Sequence, residues 1–88
     1  MNALEILKNS SLLKSAEERG TVERHIASNP DIMDGIPVIT GTRIPVYIIL
    51  DYMAEGMTFD QIIKDYPGLN KEKIQAALKF AELLSSLH

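Results

Sequence analysis

Lys71, Gln75 and Lys79 recur at i, i+4 and i+8, which is one face of a helix at about 100° per residue. These side chains suit a DNA major groove. A lysine neutralises phosphate or reaches guanine O6 and N7, and a glutamine can bind adenine through two hydrogen bonds. Glu72, Glu82 and Ser86 share the face. Carboxylates repel phosphate, so the same stripe also reads as an ordinary solvated helix surface. Thr42 and Arg43, beside Thr40 and Gly41, form a second candidate group. The guanidinium could touch a DNA backbone or an acidic partner, or brace the chain against Asp51 or a helix C-terminus.

Other chemistries find little support. The chain has no cysteine, which removes disulfides, thiolate metal sites and thiol nucleophiles. Its two histidines, His25 and His88, have no nucleophile or second base spaced to work with them. Asp31 and Asp34 lie three apart in a turn-rich stretch and are better explained by turn chemistry than by metal ligation. Tyr47, Tyr52 and Tyr66 read as helix-packing residues, not as a base-stacking platform. No Gly-rich phosphate loop is present. The expectation is a non-enzyme without metal or cofactor.

With 88 residues, the chain has room for one domain with a thin core, burying about 60–65% of its unfolded surface. Hydrophobic residues make up 45% and charged residues 24%, an ordinary globular balance that argues against disorder. No apolar run is long enough to span a membrane. The start, MNALEILKNSS, lacks the basic and apolar regions of a signal peptide, so a cytoplasmic location is expected. The net charge is −3, whereas dedicated nucleic-acid binders are commonly basic. The excess acid sits at residues 21–56, where Glu23, Asp31, Asp34, Asp51 and Glu55 face only Arg24 and Arg43. That leaves the C-terminal third free to be locally basic on one side.

The elements that would position these residues follow from punctuation and periodicity. Residues 3–19 read as one or two short helices, interrupted at Asn9-Ser10-Ser11 and stopped at Gly20; residues 1–20 are expected to form an N-terminal helical arm and 21–88 the domain. Thr21–Ile26 alternates like a strand, with Val22, Arg24 and Ile26 on one side. Asn29-Pro30-Asp31 and Asp34-Gly35 are turn signals. Pro37–Thr40 is β-rich, and Gly41-Thr42 suits a two-residue II′ hairpin loop leading into Arg43-Ile44-Pro45. Three helices follow. The first runs from about Val46 to Glu55, with the stripe Val46, Ile49, Leu50 and Met53, and Gly56 ends it. The second starts at a Thr58/Gln61 capping box and stops at Pro67-Gly68. The third is capped by Asn70 and runs from Lys71 to about Ser85.

The short connection between the second and third helices predicts a helix-turn-helix, with the third helix in the recognition position. The expected fold is therefore mainly α: a three-helix helix-turn-helix core, winged-helix or homeodomain-like, with a short N-terminal β-hairpin. The third helix carries two apolar stripes. Ile74, Ala77, Leu78, Ala81 and Leu84 suit the domain's own core. Ala76, Phe80, Leu83 and Leu87 have no obvious cover in so small a fold and are expected to form a homodimer or partner interface.

The stretch Ile26-Ala27-Ser28-Asn29-Pro30-Asp31-Ile32, then Gly35 through Val46 centred on Gly41-Thr42-Arg43, then Gly56-Met57-Thr58, Tyr66-Pro67-Gly68-Leu69 and Ala76-Ala77-Leu78 closely resemble, in order and spacing, the domain-of-unknown-function family 433. The resemblance covers residues 26–81. It implies a small helix-turn-helix or winged-helix-like domain of the prokaryotic antitoxin type, related to the VapB kind, with a PIN-like nuclease toxin as partner. It also implies a wing or arm role for the Gly41-Thr42-Arg43 hairpin. Ile36 departs from the pattern, standing where relatives carry a basic or polar residue. Residues 1–20 lie outside the resemblance. With few residues after the third helix, a toxin would have to be held by the N-terminal arm or by the second apolar stripe. Two functional expectations result: a homodimeric regulator that binds DNA upstream of its own gene, or a protein-interaction module with little DNA contact, which the acidic net charge suits.

Overall fold

The computed structural model describes residue 22 and residues 24–85. The expected N-terminal arm, Thr21, Glu23, Ser86, Leu87 and His88 lie outside the described residues. The element order is β1 (Ile26–Ala27), a left-handed turn at Met33–Gly35, β2 (Val38–Ile39), α1 (Val46–Ala54), α2 (Phe59–Asp65) and α3 (Lys71–Ser85). Among the described residues the chain is mainly helical, with three helices after β2 and one short antiparallel pair of strands, as its pattern predicts.

Where it is described, the expected strand over Thr21–Ile26 is formed only at Ile26. Val22, Arg24 and His25 have helical backbone, and only Ile26–Ala27 is extended. Burial shows why. Val22 and Ile26 are both buried, whereas Arg24 is exposed. Strand alternation would put all three on one side; with helical backbone at Val22, Arg24 and His25, Arg24 is released to solvent while Val22, and Ile26 at the start of β1, stay buried. β1 then pairs with β2, Ile26 opposite Ile39 and Ala27 opposite Val38.

The link between the strands begins with Asn29, whose side chain accepts from the Asp31 amide at 2.9 Å, and continues through a strained segment. Met33, Asp34 and Gly35 have φ of 50°, 57° and 86°, three successive left-handed residues at about 1–2 kcal/mol for each non-glycine. The Ser28 hydroxyl donates to the Gly35 carbonyl and ties the segment down. The Ile36 amide closes the turn on the Met33 carbonyl at 3.1 Å.

β2 turns back at Ile39–Thr42, where the Thr42 amide donates to the Ile39 carbonyl at 3.0 Å. The central residues are Thr40 and Gly41, with positive φ (80°) only at Gly41. This is a type II turn with glycine in its third position, not the II′ loop over Gly41-Thr42 that the sequence suggests. The Thr42 hydroxyl donates to the Ile39 carbonyl at 2.7 Å and accepts from the Ile44 amide at 3.0 Å. Beyond the turn, Pro45 bridges Val38 and precedes α1 with extended φ and ψ.

Helix boundaries follow the local signals. Gly56, at φ 85°, ends α1 after Glu55. Thr58 caps α2 in a reciprocal box with Gln61. Asn70 Oδ1 accepts from the Lys73 amide at 2.8 Å, capping α3. The core joins Val22, Ile26, Ile39, Val46, Ile49, Ile62, Leu69 and Ile74 with the buried side of α3.

The second apolar stripe of α3 belongs to this core. Ala76, Phe80 and Leu83 are 0%, 2% and 7% exposed within the single chain, so they are not an open interface; Leu87 lies outside the described residues. The two stripes are not opposite one another. At about 100° per residue they abut between Phe80 and Leu84, giving one largely apolar arc of roughly 220° that also holds Lys73 and Ser85. α3 meets α1, α2 and β1, and neighbours on several sides consume an arc that wide.

Candidate nucleic-acid interface

What α3 leaves to solvent is narrow. Lys71, Glu72, Gln75 and Glu82 are exposed and Lys79 is half-buried, along the strip opposite the apolar arc. Lys71 opens the helix, so the strip begins at the helix-turn-helix turn. Lys79 Nζ lies 3.4 Å from Glu82 Oε1, an exposed i, i+3 pair that tempers its charge at little gain in stability.

Two residues outside α3 join this strip. Arg24 and His25 border a polar cleft of about 190 Å³ together with Glu72 and Gln75. Sequence reasoning placed them on a strand and assigned His25 no role. The charge balance changes as a result: Arg24, Lys71 and Lys79 outnumber Glu72 and Glu82. A charged Arg24 between the apolar Val22 and Ile26 is the signal that this side chain turns outward.

The hairpin turn comes to the same end of α3. A Cβ at Gly68 would lie 4.0 Å from Thr42 Cγ2, so the Thr40–Thr42 turn packs beside the α2–α3 turn, three residues before Lys71. Arg43 is exposed there, and among the described residues it enters no ion pair with Asp51 or any other carboxylate. The Thr42 hydroxyl is committed to its own turn. Thr42→Val keeps the shape but leaves the Ile44 amide without that acceptor. It is expected to cost about 1–2 kcal/mol, read as a lower urea midpoint, while the Arg43 guanidinium stays available.

α1 orients this arrangement through aromatic contact. Tyr66, the C-cap of α2, packs on Tyr52 with ring centroids 5.8 Å apart and planes at 58°, a tilted pair. Hydrogen bonding with Tyr66, then burial, then the negative charge of Tyr66, Asp65 and Glu55 raise the Tyr52 phenol above its usual 10.0. A group with a raised folded pKa contributes stability that is present below pH 10 and lost as pH climbs through the folded value. Thermal melts from pH 8 to 11.5 are expected to show an alkaline loss of stability that Tyr52→Phe diminishes. Among the described residues no group of three or more histidines and acids could hold a metal ion, and no helix is long and apolar enough to cross a membrane.

Residues 26–81 match the family described as a protein of unknown function, DUF433. The chain belongs to the DUF433 family. Among curated proteins, the uncharacterized protein y4eO of Sinorhizobium fredii (strain NBRC 101917 / NGR234) is 40% identical over 57 residues; these are 65% of this chain and 26% of that protein. The match thus spans about a quarter of the relative's length. The crystal structure of a DUF433 member from Anabaena variabilis ATCC 29413 superposes with a TM-score of 0.64 at 26% identity, covering 93% of this chain and 88% of that one. The DUF433 match, residues 26–81, runs from β1 into α3. It includes the Gly41-Thr42-Arg43 turn and the Tyr66-Pro67-Gly68 turn, which the fold brings side by side.

Proposed function

We propose that this DUF433 chain is a cytoplasmic, DNA-binding transcriptional regulator of the antitoxin type, acting as a homodimer on DNA upstream of its own gene. The observation that carries the reading is the placement of Arg24 beside Glu72 and Gln75 on the exposed strip of α3, with the Thr42-Arg43 turn beside the α2–α3 turn that opens it. Helix, flanking cation and hairpin would meet one duplex as recognition helix, backbone clamp and wing. Lys71 and Gln75 would face the major groove, and Arg24 and Arg43 the phosphates. Lys79, paired with Glu82, would contribute less. A PIN-like nuclease as toxin partner belongs to the same proposal and rests on the family resemblance.

The homodimer needs another surface than the second stripe of α3, since Ala76, Phe80 and Leu83 are core. Two copies would present two recognition helices to a palindromic site and double a modest set of phosphate contacts. The deciding measurement is fluorescence anisotropy of labelled upstream DNA against scrambled DNA at two salt concentrations. Selective binding that weakens with salt supports the regulator. Equal binding to both sequences, or none, overturns it in favour of the protein-interaction reading, to which an apolar groove elsewhere on the chain lends weight.

A further inference from the structure

A groove of about 180 Å³ lies between α1, α3 and the strand entry, walled by Ile36 and Pro37, by Tyr47 and Leu50, and by Ala81 and Leu84. We propose that this groove docks a basic amphipathic helix from a partner protein. Three independent features converge on it. Its walls are apolar side chains throughout, the chemistry of helix-in-groove recognition. Its lip carries Ile36 and Tyr47, which with Met33 are the large hydrophobic residues left exposed among those described, Tyr47 at 52%. The left-handed segment Met33–Gly35 leads directly into that lip, and backbone strain held by a side-chain tie is a mark of functional segments.

The charge around the groove selects the occupant. Asp51 follows Leu50 and lies one helical turn past Tyr47, and Asp34 stands two residues before Ile36; both are exposed. The nearest cation in this stretch, Arg43, stands at the hairpin turn beside Gly68. A second copy of this chain would bring the same carboxylates face to face. A helix with leucine or phenylalanine anchors flanked by lysine and arginine fills the groove and complements its rim. Ala81 and Leu84 lie on the other side of α3 from Gln75, so the groove and the nucleic-acid strip can be occupied together.

The test uses two fluorescein-labelled synthetic helices with the same i, i+3, i+4, i+7 leucine face, one with lysine and arginine elsewhere and one with glutamate. Each is titrated into the full chain. The basic peptide is expected to bind at least about tenfold more tightly than the acidic one, less so at high salt. Tyr47→Ala and Asp51→Lys, both exposed positions, are each expected to weaken the basic peptide by about tenfold with an unchanged circular dichroism spectrum. Equal affinity for the two peptides, no binding, or variants that bind like the parent overturns the proposal. So does sedimentation showing a dimer that Tyr47→Ala dissociates, since a second copy then owns the groove. Anisotropy on upstream DNA with the same variants separates this proposal from the regulator reading, because neither substitution touches the α3 strip.

Discussion

Phe80→Ala is expected to lower the unfolding free energy by about 3–5 kcal/mol. Phe80 is 2% exposed in the middle of α3, the helix that α1, α2 and β1 all touch. Truncating its ring removes apolar contacts in a core with few layers to relax into, and a domain this small has only about 5–15 kcal/mol to lose. The measurement is urea denaturation followed by circular dichroism, with sedimentation run in parallel. A large drop in midpoint with no selective change in self-association is the expected result. A variant with parental stability that has merely lost a dimer would return Phe80 to an interface and contradict the burial described. Phe80→Asp is a poor interface probe for the same reason, because a buried unpaired carboxylate unfolds the chain before it reports on any partner.

The second large effect concerns the α3 strip. Arg24→Glu combined with Lys71→Glu is expected to weaken binding to upstream DNA by about 100-fold or more at low salt, and to flatten the log–log salt dependence by about 0.9 for each lost phosphate contact. Both side chains are exposed, and neither makes an ion pair among the described residues. The thermal midpoint should therefore move little. The single Lys79→Ala change is expected to do less, since Glu82 already shares that charge. Anisotropy at several salt concentrations checks both. A double variant that keeps its affinity and slope would remove the strip from any DNA interface.

The boundaries of the three helices were readable because each rests on near neighbours. Pro45 and Gly56 bracket α1, the Thr58 and Gln61 side chains cap α2 reciprocally, and Asn70 caps α3. Capping and turn chemistry act over three or four residues, so their signals survive without knowledge of the fold. The Gly41 turn was legible as a turn for the same reason. Its type was not, because the pairing of Ile39 with Ile44 decides which two residues stand at the corner.

The sequence by itself therefore determined the helix-turn-helix order, the caps, the family pattern over 26–81 and the polar strip of Lys71, Gln75 and Lys79. Tertiary structure alone decided three matters, each involving residues far apart in the chain. Val22, Arg24 and Ile26 alternate as a strand would, yet Val22, Arg24 and His25 take helical backbone and the strand begins only at Ile26, with Val22 and Ile26 buried and Arg24 released to solvent. The two apolar stripes of α3 look like one core and one interface until the elements packed around the helix are known; with three neighbours Ala76, Phe80 and Leu83 join the core, and Ala81 and Leu84 are left half-buried at the groove. The cleft joining Arg24 and His25 to Glu72 and Gln75, and the groove joining Ile36 and Tyr47 to Leu84, each bring together residues more than thirty-five positions apart. Local periodicity reports which side of an element is apolar, but which elements meet across that side is a property of the packed chain.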